Sequence, residues 1–225
     1  VDANGNEWTI VEVAPYAFYN NKVVTGTIYI PSVTNIGDGA FGYATSVSSF
    51  TLGNKLERIG ASAFNSTFGN ISFSPSFPSS LKHIGAGAFA HHTKWDLGQI
   101  MKLQGTLELR GIETIEKSAF FRAENIEKVI IGSKLTSFCE SGSSVDSMEV
   151  TKGAFERCDK LHTIEWHCEA PATFPQNTFW TDQSSFCVTN YVYIDYLDGW
   201  KNLLTASGMT VGELVSGDDP TDVDP

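Results

Sequence analysis

Two cysteines and two histidines in the second half of the chain are residue types that bind zinc. They are Cys158, His162, His167 and Cys168. A structural zinc site needs four such ligands converging on one point. Residues 161–168 show the alternation of a strand, in which neighbouring side chains point to opposite faces. The adjacent His167 and Cys168 would therefore diverge, and the sequence predicts no metal site.

A second candidate chemistry is glycoside hydrolysis by the carboxylates of Glu108 and Glu165. These residues lie on strands either side of the strand that carries Ile130, so a strand spacing of ~4.8 Å puts them ~9.6 Å apart. Glycosidases place their two carboxylates roughly 5–10 Å apart. An open sheet face offers no burial to keep one of them protonated, so we expect solvated surface acids. A carbohydrate-active enzyme using this pair is kept as an alternative.

Nucleophilic catalysis would need a serine or cysteine beside a histidine with an orienting acid. His91 and His92 are neighbours in the sequence, and we expect His91 to be solvated. No Gly-x-Ser-x-Gly elbow frames a serine, and no Gly-rich phosphate loop links a strand to a helix. The sequence therefore predicts no catalytic residue, no cofactor and no enzymatic activity.

The four cysteines allow three disulfide connectivities. Cys158 occupies a position that small residues fill in other repeats, so we expect a buried thiol there. Cys168 and Cys187 flank neighbouring strands, and a bridge between them remains open. Cys139 has no evident partner.

These residues are positioned by an internal repeat, whose template is Lys55–Phe64. An apolar residue is followed by Ile-Gly three and four positions later, and the unit ends in Ala-Phe. The terminal phenylalanines are Phe18, Phe41, Phe64, Phe89, Phe120, Phe155 and Phe179, at intervals of 23, 23, 25, 31, 35 and 24 residues. A fixed period of this length is typical of solenoids. The longer intervals indicate insertions at residues 90–105 and 137–149, which could form binding loops.

Each unit continues into a short strand with apolar residues two apart. The strands are Ile28-Tyr29-Ile30, Phe50-Thr51-Leu52, Ile71-Ser72-Phe73, Leu107-Glu108-Leu109, Val129-Ile130-Ile131, Ile164-Glu165-Trp166 and Val192-Tyr193-Ile194. Alternation predicts that the outer two residues face the core and the middle residue faces outward. Phe would fill the interior, and the Gly after Ile is expected at a reversing turn, where it can adopt positive φ.

The pattern Ile-Gly-x-x-Ala-Phe resembles the BspA-like leucine-rich repeats of bacterial and protist surface proteins. Cys158 matches the family's Cys position, Ile28–Pro31 resembles its strand ending in Pro, and Tyr196 with Gly199-Trp200 resembles its closing segment. Asp195 stands where that family has Pro. The resemblance covers about residues 10–204.

The resemblance implies a right-handed repeat solenoid with a parallel β-sheet on one face and loops or short turns on the other. We expect one domain over residues 1–215, with about seven coils and a C-terminal cap at 195–215 that includes a short helix at 200–204. Residues 216–225 are rich in Asp and predict a disordered acidic tail.

Composition excludes several functions. The 26 acidic residues outnumber the 15 basic ones, for a net charge of −11. Such a surface repels nucleic-acid phosphates and anionic membranes. No run of about 18 apolar residues is present, so no membrane insertion is expected. The chain begins at Val1 rather than Met, so we expect a processed or trimmed product whose export signal lies elsewhere.

The exposed column of the sheet is the predicted binding surface. Its members are Tyr29, Thr51, Ser72, Glu108, Ile130, Glu165 and Tyr193, flanked by Arg110, Lys128 and His167. Tyr and Arg suit interface anchors, and an exposed Ile130 would indicate a partner. The resemblance implies a non-enzymatic binding or adhesion module at the cell surface or outside the cell. Its partner would be a host or cell-surface protein or glycan. A structural spacer that displays another module is the alternative.

Overall fold

The computed structural model of the protein describes residues 9–67, 70–72, 77–91, 103–139, 153–171, 178, 188–193, 196–206 and 215–217. In chain order the strands are β1 Glu12–Val13, β2 Gly26–Ile30, β3 Asn35–Ile36, β4 Val47–Leu52, β5 Arg58–Ile59, β6 Asn70–Ser72, β7 His83–Ile84, β8 Gly105–Leu109, β9 Thr114–Ile115, β10 Ile126–Ile131, β11 Ser137–Phe138, β12 Thr163–Trp166, β13 Thr189–Tyr193 and β14 Val215–Gly217, with helix α1 Leu197–Ala206 between β13 and β14.

The chain is a parallel β-solenoid, in which each repeat forms one coil stacked on the next. The seven predicted strands pair in parallel in two groups, β2-β4-β6 and β8-β10-β12-β13, and the unpredicted β14 extends the second group. The register aligns Tyr29 with Thr51, and Ile130 with both Glu108 and Glu165. The predicted stacking of look-alike strands is therefore confirmed.

A second parallel sheet lies along the solenoid where we expected loops or short turns. Its strands are β1, β3, β5, β7, β9 and β11, each only two residues long. Each strand ends on the buried Val, Ile or Phe that precedes the turn. Two residues are too few to show an alternating pattern, so no strand is predicted here from the sequence alone.

The core is a ladder of phenylalanine rings. From Phe18 to Phe155, successive rings of the terminal phenylalanines stack with centroids 5.1–5.5 Å apart and planes within 15° of parallel. The predicted stack is confirmed for these six rings, whereas Phe179 lies outside the described residues. Offset aromatic stacks of this kind add about 0.5–1.5 kcal/mol per pair to the apolar area that the rings bury.

The glycine after Ile has a different role from the expected one. Gly60 and Gly85 do not have positive φ. Positive φ occurs instead two positions before the phenylalanines, for example at Gly39 and Ser62. A Cβ on Gly60 would lie 2.6 Å from the Asp38 amide nitrogen, and one on Gly85 would lie 2.5 Å from that of Ala61. The expectation of positive φ at these glycines is wrong. Glycine is needed there because neighbouring coils approach too closely for a side chain.

The C-terminal coil is closed by α1. Trp200 and Leu204 of this helix are fully buried. The Trp200 ring lies 4.3 Å from that of Trp166, and its Nε1–H donates to the Cys168 carbonyl over 2.8 Å. The predicted capping helix is confirmed and is longer than residues 200–204.

The sheet also continues beyond the expected cap. Strand β14 pairs in parallel with β13, aligning Tyr191 with Val215 and Tyr193 with Gly217. Ser216 and Gly217 were assigned to a disordered tail, and that boundary is wrong because their backbones extend the sheet. Residues 218–225 lie outside the described residues, as do 92–102 and 140–149 of the two insertions.

Candidate functional site

The outer face of β8, β10 and β12 gathers six of the predicted binding residues. They are Glu108, Arg110, Lys128, Ile130, Glu165 and His167, here called the charged face. Parallel register sets Glu108, Ile130 and Glu165 in one row across the three strands. The other three lie two positions before or after this row, so strand alternation turns them to the same side.

Ion pairs connect the side chains of the charged face. Arg110 Nε lies 3.0 Å from Glu108 Oε2. Lys128 Nζ lies 2.6 Å from Glu165 Oε1, and His167 Nε2 lies 3.5 Å from Glu165 Oε2. Partly exposed pairs contribute about 0–1 kcal/mol each to stability, so the fold does not depend on them. They set acidic and basic groups side by side on an open surface.

The sequence predicted an exposed Ile130, but this residue is buried. Only 6% of the residue is accessible, although it does not belong to the interior core cluster. Glu108 and Glu165 flank it on the neighbouring strands, and the alkyl parts of such long side chains can cover an aliphatic residue. The prediction of an exposed Ile130 was wrong because the alternation of side chains along one strand does not take account of residues on the neighbouring strands. The surface is a set of paired charges over a covered aliphatic centre.

Tyr29 and Thr51 lie together at the other end of the column. They face each other on β2 and β4, and Tyr29 is exposed. Below them, Thr27 and Ser49 share a hydroxyl hydrogen bond of 2.6 Å. Tyr29 and Thr51 belong to the group β2-β4-β6, whereas the charged face lies on β8, β10 and β12 of the other group. Tyr29 is therefore not part of the charged face. The predicted site is therefore divided into two patches. Ser72 lies opposite Thr51 in the register, and its side chain is outside the described set.

The last position of the column is occupied by Tyr191 and not by Tyr193. Glu165 aligns with Tyr191, and Tyr193 lies one row further along the strand. Asn190 takes the inward position instead of an apolar residue, and it accepts a 3.0 Å hydrogen bond from Trp166 Nε1. A buried polar residue with a specific partner interrupts the apolar alternation of this strand. For this reason the sequence pattern placed Tyr193 in the column instead of Tyr191.

The considered zinc ligands do not converge. Cys158 is buried, and its Sγ donates to the Phe120 carbonyl over 3.2 Å. His162 is exposed, with Nδ1 2.9 Å from Thr163 Oγ1, while His167 faces Glu165. Within the described parts of the chain, no group of three or more His, Cys, Asp or Glu side chains could hold a metal ion.

The cysteines of the described residues are free thiols at the C-terminal side of the fold; Cys158 and Cys168 are buried, and Cys139 is partly buried. Burial raises the pKa of Cys139 and of Cys168 to about 12, and burial also raises the pKa of Cys158. Because the thiolate is the nucleophile, such thiols are unreactive near neutral pH. Cys168 is a free thiol, and Cys187, the other member of the bridge considered, lies outside the described residues. His91, expected to be solvated, is instead buried, and its backbone N–H donates to the Phe121 carbonyl over 2.9 Å.

On the short-strand sheet, polar side chains of successive coils contact one another. This feature was not predicted from the sequence. Asn35 Nδ2 donates to Glu12 Oε1 over 2.8 Å, and His83 Nε2 lies 3.2 Å from Glu116 Oε1. Arg58 approaches Asp38 at 3.8 Å. The residue before each repeated Val, Ile or Phe is polar in every copy, and that regularity was the available signal. These contacts join successive coils.

Stacked parallel coils, a phenylalanine ladder and an open polar sheet face define a leucine-rich-repeat solenoid. The family model described as "BspA type Leucine rich repeat region (6 copies)" matches residues 11–143 and 109–196. The chain belongs to the BspA-type leucine-rich repeat family.

The fold is shared with a solved bacterial protein. The crystal structure of the pneumococcal vaccine antigen PcpA is similar, with a TM-score of 0.51 and 16% identity. The likeness covers 86% of this chain and 41% of that one, so this chain spans less than half of PcpA. No curated protein matches the sequence. In the described parts of the chain, helices of the length and apolar character that crossing a membrane requires are absent.

Proposed function

We propose that this protein is a non-enzymatic binding or adhesion module of a bacterial surface or secreted protein. It contacts a protein or glycan through the charged face of β8, β10 and β12. The observation that carries the proposal is the arrangement of acids and bases around Ile130, with Glu165 shared between Lys128 and His167. The BspA-type repeat supports a role at the cell surface.

The arrangement suits recognition because every charged group keeps part of its surface accessible. Arg110 and Glu108 are the more exposed pair, and Lys128 with Glu165 is the more enclosed pair. A partner that supplies its own charged or hydroxyl groups can exchange with these contacts without disturbing the core. Such electrostatic complementarity sets specificity and association rate more than affinity.

The same contacts favour binding over glycoside hydrolysis. Glu108 and Glu165 lie on either side of the Ile130 strand, and each has a cationic neighbour. A glycosidase needs one carboxylic acid of its pair protonated. Here each carboxylate is instead engaged by an arginine or lysine side chain on an open sheet face.

The test is a charge reversal with a matched control on the other sheet. The full chain is screened by biolayer interferometry against extracellular-matrix proteins and glycans. For the ligand that binds, Lys128→Glu is compared with Lys82→Glu, since Lys82 is an exposed lysine beside the short-strand sheet. We expect Lys128→Glu to weaken binding at least about tenfold with an unchanged circular dichroism spectrum, and Lys82→Glu to bind normally.

Equal binding by the two variants would place the contact elsewhere on the solenoid. Failure of the whole panel to bind would instead favour the spacer. Release of reducing sugar from a polysaccharide, abolished by Glu165→Gln, would establish the enzyme alternative.

A further inference from the structure

An exposed aromatic ring lies at the edge of the charged face. Tyr191 of β13 aligns with Glu165, so it ends the row that also contains Glu108 and Ile130. Tyr191 is 36% exposed. The other large apolar residues that are exposed in the described chain all belong to the first coil, residues 9–31. The charged face is therefore the later part of the solenoid at which an accessible ring meets charged groups.

A row of threonines runs beside the charged face on the same side of the sheet. Lys128 aligns with Thr106 on one side and with Thr163 on the other. Thr163 in turn aligns with Thr189. All four lie two positions before the row that ends in Tyr191, so strand alternation turns them outward. Three strand spacings of ~4.8 Å separate Thr106 from Thr189, a span of ~14 Å.

These threonines are accessible to a ligand. Thr106 is exposed, and Thr163 and Thr189 are half-buried. A threonine hydroxyl donates one hydrogen bond and accepts others, as the hydroxyl of a sugar does. The threonine row, defined as Thr106, Thr163 and Thr189, therefore adds groups that pair with hydroxyls along one edge of the charged face.

The charged face places hydrogen-bond donors next to acceptors. Lys128 Nζ lies 2.6 Å from Glu165 Oε1, and Arg110 Nε lies 3.0 Å from Glu108 Oε2. Ammonium and guanidinium groups only donate, whereas carboxylates only accept. A ligand hydroxyl needs both kinds of partner, so each of these pairs can serve one hydroxyl from two sides.

The charges of these four side chains balance, although the chain as a whole is acidic. Glu108 and Glu165 offset Arg110 and Lys128, whereas the net charge of the chain is −11. Recognition of a strongly charged ligand requires a surface with an excess of the opposite charge. The four groups provide no such excess, and their chemistry therefore fits an uncharged ligand.

The centre of this surface differs from that of a protein–protein interface. The buried core of such an interface is poor in charged residues and is anchored by aromatic side chains. Here the central residue, Ile130, is only 6% exposed, and charged groups surround it. The aromatic residue, Tyr191, lies at the edge. A single ring beside hydroxyl and charged groups suits a carbohydrate better than a protein.

We propose, resting on the proposed function of the same surface, that the ligand of the charged face is a neutral glycan. Tyr191 packs against one sugar ring, because the face of an aromatic ring is negative and attracts the C–H groups of the sugar. Hydroxyls of the sugar exchange hydrogen bonds with Lys128, Glu165 and Thr163. The glycan is a chain of several sugars, since the binding groups extend over four strands.

The experiment measures binding of the full chain to immobilised mannan, β-glucan and galactan by biolayer interferometry, with heparin as a charged polysaccharide. For the neutral polysaccharide that binds, Tyr191→Ala is compared with Tyr16→Ala, which removes a half-exposed tyrosine of the first coil. We expect Tyr191→Ala to raise the apparent Kd at least about tenfold, and Tyr16→Ala by less than about twofold. Tyr191→Phe retains the ring and should restore binding. Circular dichroism checks that each variant is folded.

Two further measurements do not depend on the folding of Tyr191→Ala. Thr163→Val keeps the shape of the side chain and removes its hydroxyl, so we expect the apparent Kd to rise at least about threefold. Raising the salt concentration from about 0.15 M to about 1 M shortens the Debye length from about 8 Å to about 3 Å. Because the ligand is uncharged, we expect the Kd of the unmodified chain to change by less than about twofold.

The outcomes separate this inference from the proposed function. Binding to heparin or to a matrix protein that weakens steeply with salt, without binding to a neutral polysaccharide, overturns the neutral glycan and leaves the binding module standing. Equal binding of a neutral polysaccharide by the unmodified chain, Tyr191→Ala and Thr163→Val also overturns it. Failure of every polysaccharide and matrix protein to bind overturns both.

Discussion

The two ends of the solenoid are built from the same repeat and have opposite environments. At the C-terminal end, α1 buries Trp200 and Leu204 completely and seals the last coil. At the N-terminal end, Ile10 and Val23 are exposed and a cavity opens beside Phe18. The comparison shows that burial in this protein depends on the neighbour of a coil as much as on its own residues.

The difference has a consequence for dynamics. A coil with neighbours on both sides has two interfaces, and the first coil has one among the described coils. Stability in solenoids is close to a sum of repeat and interface contributions, so local opening is expected to begin at the N-terminal end.

The largest effect is expected from opening the sealed end. Trp200→Ala removes an indole that contacts Trp166 and donates to the Cys168 carbonyl. We expect a loss of about 3–5 kcal/mol in the free energy of unfolding, measured by urea denaturation. Lys201→Ala, on the exposed side of the same helix, should change it by less than about 0.5 kcal/mol. Similar small losses for both variants would mean that α1 does not seal the coil.

The next effect contrasts one repeat position at the open end and in the interior. Leu56→Ala should lower the free energy of unfolding by about 2–5 kcal/mol, because Leu56 is fully buried. Ile10→Ala should lower it by less than about 0.5 kcal/mol, because Ile10 is exposed. Urea denaturation of the two variants measures both values. Comparable losses would show that the first coil is covered in solution.

A smaller effect is expected from the polar contact beneath the cap. Asn190→Ala removes the buried acceptor of the Trp166 Nε1–H bond. We expect a loss of about 1–3 kcal/mol, measured in the same way. Thr27→Ala removes an exposed hydroxyl pair with Ser49 near the open end and serves as the control. A larger loss for Thr27→Ala than for Asn190→Ala would reverse the comparison.

A further effect is a destabilisation by alkali that acts on the sealed side. All four cysteines lie after residue 138. Burial raises the pKa of the Cys139 and Cys168 thiols from 9.0 to about 12, so the folded chain holds protons that the unfolded chain loses. The stability from these thiols is fully present below pH 9 and is lost as the pH rises toward 12.

Hydrogen exchange cannot be compared simply across such pH values, so urea midpoints at pH 8 and pH 10.5 provide the measurement. We expect a lower midpoint at pH 10.5, and a smaller pH difference in Cys168→Ala. An identical pH difference in that variant would exclude Cys168 as a source of the effect.

The sequence predicted the repeat, the phenylalanine ladder and the strand columns because each rests on local spacing. Phe18, Phe41 and Phe64 recur every 23 residues, and one short strand per repeat follows from apolar residues two apart. It did not predict that Ile130 is buried or that Tyr191 takes the last position of the column. Those depend on cross-strand neighbours and on the buried Trp166–Asn190 bond, which join residues far apart in the chain.

By itself, the sequence determined which residues repeat and therefore which positions face the core of each coil. Only the tertiary structure decided how the ends of that core are covered. Helix α1 covers the C-terminal end, and none of the described coils covers the N-terminal end. The tertiary structure also decided that the turn glycines serve close packing and that Glu165 links Lys128 to His167. The physical reason is that a periodic pattern fixes the direction of a side chain, whereas burial and charge pairing depend on which other coil lies beside it.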